Sequence, residues 1–266
     1  MTNREPQLAE LVAAVQTSTR YRTIDRQLVE RVGREALSRY PSLKAAIKAT
    51  KSQLHQMIGA YAERTPPYDQ WLADLQQAPD VASRKAICQR LLASHASTHE
   101  RLTVLDRLYP ACLGDQPPQR ILDLGCGFNP LAVPWMNLPA TTFYAAYDID
   151  TALCSFVGAV LPLLGVQGSA DVCDLVIGPP PVAADVALVL KVIPLLEQQR
   201  RGAGADLLRA IQAPRLVVSF PTRSLGGRNV GMLETYRRYM TTLAATEGWS
   251  PHEIVLPGEL VFIIRR

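Results

Sequence analysis

An α/β architecture, with a helical segment placed ahead of a parallel sheet, is what this sequence of 266 residues predicts, on three observations. The first third shows helical periodicity and no strand-like alternation. From about residue 120, short apolar runs alternate with helical segments, the pattern of βαβ units. The chain then closes on two apolar runs joined by Pro257-Gly258, which reads as an antiparallel hairpin.

Taken in order, Ile24, Leu28, Val32 and Ala36 recur every four residues, and Pro41 closes that helix. Leu43, Ile47, Leu54 and Ile58 line the next helix, with Lys44, Lys48 and Lys51 on its polar side. After Pro66-Pro67, helices are expected at about 68–76 and 81–93. Ser97-Thr98-His99-Glu100 fits a capping box, in which Ser97 accepts from the Glu100 amide at the start of a helix carrying Leu102, Leu105 and Leu108. Beyond the linker GDQPPQ, strands are expected near 120–124, 142–148, 186–191 and 215–220. Helices are expected near 130–137, 151–164, 194–212 and 229–247. HEIVL and ELVFII form the closing hairpin. The expected division is a helical domain over residues 1–110 and a Rossmann-like domain over 111–266. An α/β sheet finished by such a hairpin is of the methyltransferase type, an inference from fold-level analogy.

Composition narrows the class. A hydrophobic fraction of 48% and a charged fraction of 20% are those of an ordinary globular chain. No run approaches the roughly 20 apolar residues of a membrane span. The opening MTNREPQLAE has no apolar run after its first charge, so no secretory leader is expected. Five scattered cysteines without a CxxC pair read as reduced thiols of a cytoplasmic protein, neither a disulfide framework nor a metal site. Net charge is +4, but between Arg20 and Lys51 nine Lys/Arg face only Asp25, Glu30 and Glu35, a local excess of +6. Arg223, Arg228, Arg237 and Arg238 form a second cluster. Either cluster alone could be a solvated face; together they point to a polyanionic partner.

The stretch ILDLGCGFNP, residues 121–130, carries the first chemical signal: a strand, then Gly125-x-Gly127. A dinucleotide fingerprint would continue to a third glycine where Pro130 stands. Asp123, just ahead of the turn, would repel a pyrophosphate and suit the ammonium and sulfonium of S-adenosylmethionine. Asp148, about 20 residues on at the end of the second strand, is placed for ribose hydroxyls. Asp174 and Leu175 follow the third strand, where an acceptor and an apolar wall would meet the adenine. Taken singly these acids could cap loops or face solvent; as an ordered set they favour S-adenosylmethionine.

ILDLGCGFNPLAVPWM, STHERL, VLKVIPLLEQQ and above all SFPTRSLGGR with its following GM resemble the aminoglycoside-resistance 16S rRNA (guanine-N7) methyltransferases, the Arm/Rmt family. The likeness covers most of the chain, including its helical start. It implies methyl transfer to N7 of one guanine in the decoding A site of the assembled 30S subunit, blocking deoxystreptamine aminoglycosides such as gentamicin and kanamycin. Carried onto matching positions, it implies cofactor contacts from His95, Ser97 and Arg101, with Gly125, Asp148, Asp174 and Leu175, and a pocket closed by Leu190 and Gln199. It implies RNA contacts from Lys191, Arg223, Arg228 and the basic face of Lys44, Lys48 and Lys51.

Guanine N7 bears an in-plane lone pair and no proton, so transfer needs alignment rather than a general base. That agrees with a sequence offering no catalytic triad or dyad, and four histidines (His55, His95, His99, His252) without metal-ligand spacing. N7 lies in the deep, narrow groove of A-form RNA, so the target base is expected to be unstacked. Phe220, Phe128 or Trp135 could stack on it, or serve the core. A small-molecule methyltransferase and a non-catalytic RNA-binding protein are the competing readings. No membrane and no protein partner is expected.

Overall fold

The computed structural model describes residues 5–58, 66–222 and 231–266. Its contacts divide the chain into two compact units, residues 1–67 with 149–152, and residues 68–148 with 153–266.

The first unit is built on three helices, α1 (Glu5–Gln16), α2 (Arg26–Arg39) and α3 (Leu43–Ile58). Asp25 caps α2 by accepting from the Leu28 amide at 3.0 Å, relieving an amide that has no intrahelical partner. The helix ends at Arg39 because Tyr40, which precedes Pro41, is held extended. Leu8, Leu11, Val12 and Val15 of α1 pack with Leu28, Val29 and Val32 of α2. On α3 the buried stripe is Ala46, Thr50, Leu54 and Met57, while Leu43, Ile47 and Ile58 flank it half-buried. The expected face is thus rotated, because the small Ala46 and Thr50 allow the closer approach. Lys44 and Lys48 lie opposite and are exposed; Lys51 is partly so.

The second unit begins with helices α4 (Tyr68–Gln77), α5 (Val81–Ala93), α6 (Ala96–His99) and α7 (Leu105–Leu113). Leu75, Leu91, Leu92, Leu105 and Leu108 share one core with the sheet residues Ile121, Tyr144 and Leu188. The compact division therefore falls at Pro67, ahead of the GDQPPQ linker, because α4–α7 bury their apolar faces on the sheet. The capping box does not form. His95 is the N-cap of α6, and the Ser97 hydroxyl bonds the His95 ring at 2.9 Å instead of an amide.

Seven strands follow: β1 (Arg120–Leu124), β2 (Phe143–Asp148), β3 (Gln167–Val172), β4 (Val186–Leu190), β5 (Arg215–Pro221), β6 (Ser250–Leu256) and β7 (Glu259–Arg265). They form one sheet in the order β3-β2-β1-β4-β5-β7-β6, parallel except for β7, which pairs antiparallel with β5 and β6. β3 carries no strand signal in QGSADV, a half-exposed edge poor in β-branched residues. Gly168 is required there, since a Cβ would come within 2.4 Å of the Tyr144 carbonyl oxygen.

Alternate residues of β1 and β4 feed opposite faces of the sheet, as a two-residue period demands. Ile121 and Leu188 join the core with α5 and α7, and Leu122, Ala187 and Val189 join the other core. That second core includes α9 (Ile193–Gln199), α10 (Ala203–Ala210) and α11 (Met232–Glu247). Between β2 and β3 the chain forms α8 (Thr151–Val160), continued by a 3-10 turn over Leu161–Leu164. Three expected single helices are broken by local chemistry. Pro130 and Pro134 turn 129–135 into a 3-10 helix, Pro162 tightens the end of α8, and Gly202 at φ +86° separates α9 from α10. No described helix is long and apolar enough to cross a membrane.

Candidate functional site

The strand order reverses between β1 and β4, and the crevice at their carboxyl ends is where such sheets bind ligands. Gly125 and Gly127 turn the chain there with φ of +66° and +48°. A Cβ on Gly125 would strike the Val192 side chain at 2.6 Å, while one on Gly127 would meet nothing within 4 Å. The first glycine is therefore fixed by packing, and the second leaves its backbone approachable by a ligand. The Gly127 amide donates to Asp148 Oδ2 at 2.9 Å, and Cys173 donates its amide to the Asp148 carbonyl at 2.9 Å. Asp174 is thereby set beside the end of β2, where its carboxylate accepts from the Val176 amide at 3.1 Å. Leu175 is buried next to it and Leu190 ends β4, buried. Gln199 ends α9, half-buried, with its amide donating to the Leu195 carbonyl at 3.4 Å.

Asp123 is 1% exposed. Its Oδ2 accepts from the Asn129 amide at 2.9 Å and the Tyr144 hydroxyl at 2.7 Å. Its Oδ1 is buried without a hydrogen-bond partner. Burial pushes this carboxyl up to about 6, against the two hydrogen bonds and the Arg101 charge. A buried acceptor left unpaired costs free energy unless a donor meets it. The ammonium of a methionine moiety is such a donor. With Gly127 open, Asp148 at the second strand end and Leu175 as an apolar wall, the residues present fit S-adenosylmethionine.

Behind Asp123 lies a buried ionic cluster. Arg101, 3% exposed, donates to both carboxylate oxygens of Glu259 at 2.6 and 2.8 Å, and to Asn129 Oδ1 at 3.2 Å. Burial opposes the Arg101 charge, but Glu259 outweighs it and holds the guanidinium pKa above its ordinary value. Burial likewise opposes the Glu259 charge; Arg101 and Lys191 overcome it and keep the carboxyl below its usual range. Lys191 donates to Glu100 at 2.5 Å and to the Ser97 carbonyl at 3.2 Å, and lies 3.8 Å from Glu259. Its backbone sits at φ +62°, a conformation costly for a side-chain-bearing residue and held here by the hydrogen bond that its backbone N–H donates to the Ser219 carbonyl at 3.0 Å. His95 stands against the Phe128 ring at 4.8 Å between centroids, and burial, with Arg101 and Lys191, lowers its pKa to about 4.

The structure thus brings His95, Ser97, Arg101, Asp123, Gly125, Gly127 and Asp148 into one region with Asp174, Leu175 and Leu190. Lys191 departs from the expectation of an RNA contact: its side chain is buried, with the ammonium turned inward onto two carboxylates and withdrawn from phosphate. Arg223 and Arg228 lie outside the described residues. In the same expected cluster Arg237 is engaged by Glu253 and Glu234, whereas Arg238 is exposed. Phe220 is wholly buried and stacked on Tyr236; Phe128 packs edge-on against Trp71; Trp135 is buried beneath the Lys85 ammonium. All three serve the core. Sequence reasoning missed Asn129, Tyr144, Glu100 and Glu259. The one available signal was a lone acid opening the apolar strand ELVFII. Among the described residues no grouping of His, Cys, Asp and Glu could hold a metal ion.

The model of the family described as ribosomal RNA methyltransferase (FmrO) matches residues 17–263. A protein of Frankia casuarinae, named 16S rRNA (guanine(1405)-N(7))-methyltransferase, is 43% identical over 261 residues, covering 95% of this chain and 91% of its own length. A Serratia marcescens protein of the same name is 32% identical over 257 residues, covering 97% and 98%. Among solved structures, the 16S rRNA methyltransferase RmtF in complex with S-adenosyl-L-homocysteine superposes with a TM-score of 0.84 at 32% identity, covering 100% of this chain and 99% of that one. The 16S rRNA methylase RmtB gives 0.80 at 29%, covering 97% and 98%.

Proposed function

The chain belongs to the FmrO family of ribosomal RNA methyltransferases, and on that premise we propose that it methylates N7 of guanine 1405 of 16S rRNA, in the A site of the assembled 30S subunit. Modification there excludes deoxystreptamine aminoglycosides such as kanamycin and gentamicin, so the activity confers resistance, and its ribosomal substrate makes it a cytoplasmic enzyme. The observation that carries the reading is the extent of the family match, which runs from residue 17 and so takes in the cationic helices as well as the sheet.

Bound there, S-adenosylmethionine would supply an electrophilic methyl group: the N–C bond to N7 would form as the C–S bond breaks, S-adenosylhomocysteine would leave neutral and the guanine would take the positive charge, with no proton lost. The residues of the chain bind and align. Asp123 Oδ1 receives the ammonium, Asp148 the ribose hydroxyls, and Asp174 with Leu175 the adenine. His95 and Ser97 border the methionine end, while Leu190 and Gln199 close the pocket; Arg101, expected as a direct contact, is instead buried on Glu259 and Asn129 and supports that end from behind Asp123. His95, held neutral by burial, adds no positive charge beside a sulfonium. Lys191 and Glu259 hold the carboxyl end of β4, where the base must be presented. No group is required to remove a proton, in keeping with a site whose nearby ionisable groups are paired to one another.

The helical part that precedes the sheet is the docking element. Lys44, Lys48 and Lys51 share one outward face of α3, and no described carboxylate pairs with them. Arg223 and Arg228 are read as further phosphate contacts. To test the reading, the protein is incubated with labelled S-adenosylmethionine and 30S subunits, free 16S rRNA or small amines, and the modified base is mapped by reduction and aniline cleavage. Label at guanine 1405 of the subunit is expected. Label in small amines alone, or subunit binding without transfer, would overturn it.

A further inference from the structure

The hydrogen bonds around Asp123 have a direction, and an arginine sets it. Guanidinium groups donate and never accept, so the Asn129 atom that meets Arg101 Nη1 is the carbonyl oxygen. The Tyr109 hydroxyl donates to that same oxygen at 2.6 Å. The amide nitrogen of Asn129 must then face the other way, toward Asp123 Oδ2 at 2.9 Å and the Tyr144 oxygen at 3.2 Å. Tyr144, receiving from Asn129, points its own proton at Asp123 Oδ2, 2.7 Å away. Two donors converge on one carboxylate oxygen, and neither can be reversed while Arg101 remains bound to Glu259. Six segments take part: the stretch after α6, α7, the 3-10 turn, β1, β2 and β7.

We propose that Asn129 and Tyr144 are positioning residues for the cofactor: they hold Asp123 as an acceptor with Oδ1 alone left to engage, so that a proton and the ammonium of S-adenosylmethionine compete for that one oxygen. This rests on the methyltransferase reading above and adds to it a pH dependence located in the cofactor site rather than in the RNA contacts. The groups facing Asp123 are Arg101 from the stretch after α6, Tyr109 on α7, Cys126 in the turn, Tyr144 and Asp148 on β2, and Glu259 behind Arg101 on β7. Burial, the two donors and the Arg101 charge together leave the carboxyl titrating near pH 6. Cofactor affinity falls as pH drops through that value, and the bound ligand resists the proton.

The test uses the full-length protein and S-adenosyl-L-homocysteine, whose amino group is that of the cofactor, with affinity measured by calorimetry from pH 5 to 8.5. Wild type is expected to lose about tenfold in affinity per pH unit below its acid midpoint. Tyr144→Phe removes a donor from the carboxylate and moves that midpoint upward by about one unit. Asn129→Ala moves it in the same direction. Tyr109→Phe, which touches Asn129 but not Asp123, leaves the midpoint within about a third of a unit. Asp123→Asn binds more weakly and without an acid limb. Melting of the unliganded proteins across the same pH range keeps folding separate from binding. Coincident acid limbs in wild type, Tyr144→Phe and Asp123→Asn would overturn the inference while leaving the methyltransferase reading intact. Absence of ligand binding by wild type at every pH would overturn both.

Discussion

The two compact units place their positive charge in opposite ways. In the helical unit, Glu30 and Glu35 are taken up by Arg26, Arg31 and Arg39, while Lys44 and Lys48 stand exposed on the far side of α3 with no described carboxylate beside them. In the sheet unit, Arg101 and Lys191 are 3% and 5% exposed and converge on Glu259. The residue types are the same, but desolvation makes the difference. A cation left in water keeps its field for a distant polyanion. A buried cation must be paired, and once paired it fixes geometry instead of attracting a ligand.

Breaking the buried side should have the largest effect. Glu259→Ala leaves Arg101 and Lys191 buried without their shared partner and should cost about 3–5 kcal/mol in urea unfolding. A loss below about 1 kcal/mol would mean that water reaches the cluster and that its charges are not truly internal.

His95 gives the next effect. Its folded pKa, about 4, lies below the ordinary histidine value of 6.5, so the unfolded chain takes up its proton first. The stability this histidine supports is complete above pH 6.5 and is lost as pH falls toward 4, by about 2–3 kcal/mol. His95→Gln should flatten the difference in unfolding free energy across that window; a parallel pH profile would place the acid sensitivity elsewhere.

Asp123 acts with the opposite sign. Its folded pKa, about 6, is raised above the ordinary aspartate value of 3.8, so the unliganded fold loses stability as pH climbs through that interval. At pH 7.5, Asp123→Asn should therefore melt higher than wild type without ligand, by about 1–2 kcal/mol, although it binds the cofactor less well. A lower melting temperature would show that the carboxylate stabilises the fold directly. The smallest effect belongs to the exposed side: Lys44→Ala should leave the urea midpoint unchanged and reduce the salt slope of subunit binding by about one unit.

Much of this division was legible in the sequence. The outward lysines follow from helical spacing, and the strand, glycine turn and Asp148 follow from local pattern. The terminal hairpin that carries β7 was legible too, because it depends on neighbouring residues. What escaped depends on partners brought from afar. Glu259 lies 158 positions from Arg101, and nothing near either residue announces the pair. Ser97 and Glu100 match a capping box in sequence, yet His95 and Lys191 offer better partners and draw both side chains away. Lys191 directly follows β4, where substrate would be sought, but its side chain turns inward from a backbone at positive φ. A third strand was expected ahead of Asp174, but its bounds could not be read, because an exposed edge strand needs neither apolar alternation nor β-branched residues.

The outward charge serves RNA docking and the inward charge serves the cofactor site. The direct test is a pair of titrations on the triple variant Lys44→Glu, Lys48→Glu and Lys51→Glu, with 30S subunits in one and S-adenosyl-L-homocysteine in the other. Subunit affinity should fall by at least about a hundredfold at moderate salt, with a shallower salt dependence, while S-adenosyl-L-homocysteine affinity stays within about twofold of wild type. Unchanged subunit binding, or equal loss in both titrations, would contradict the claim.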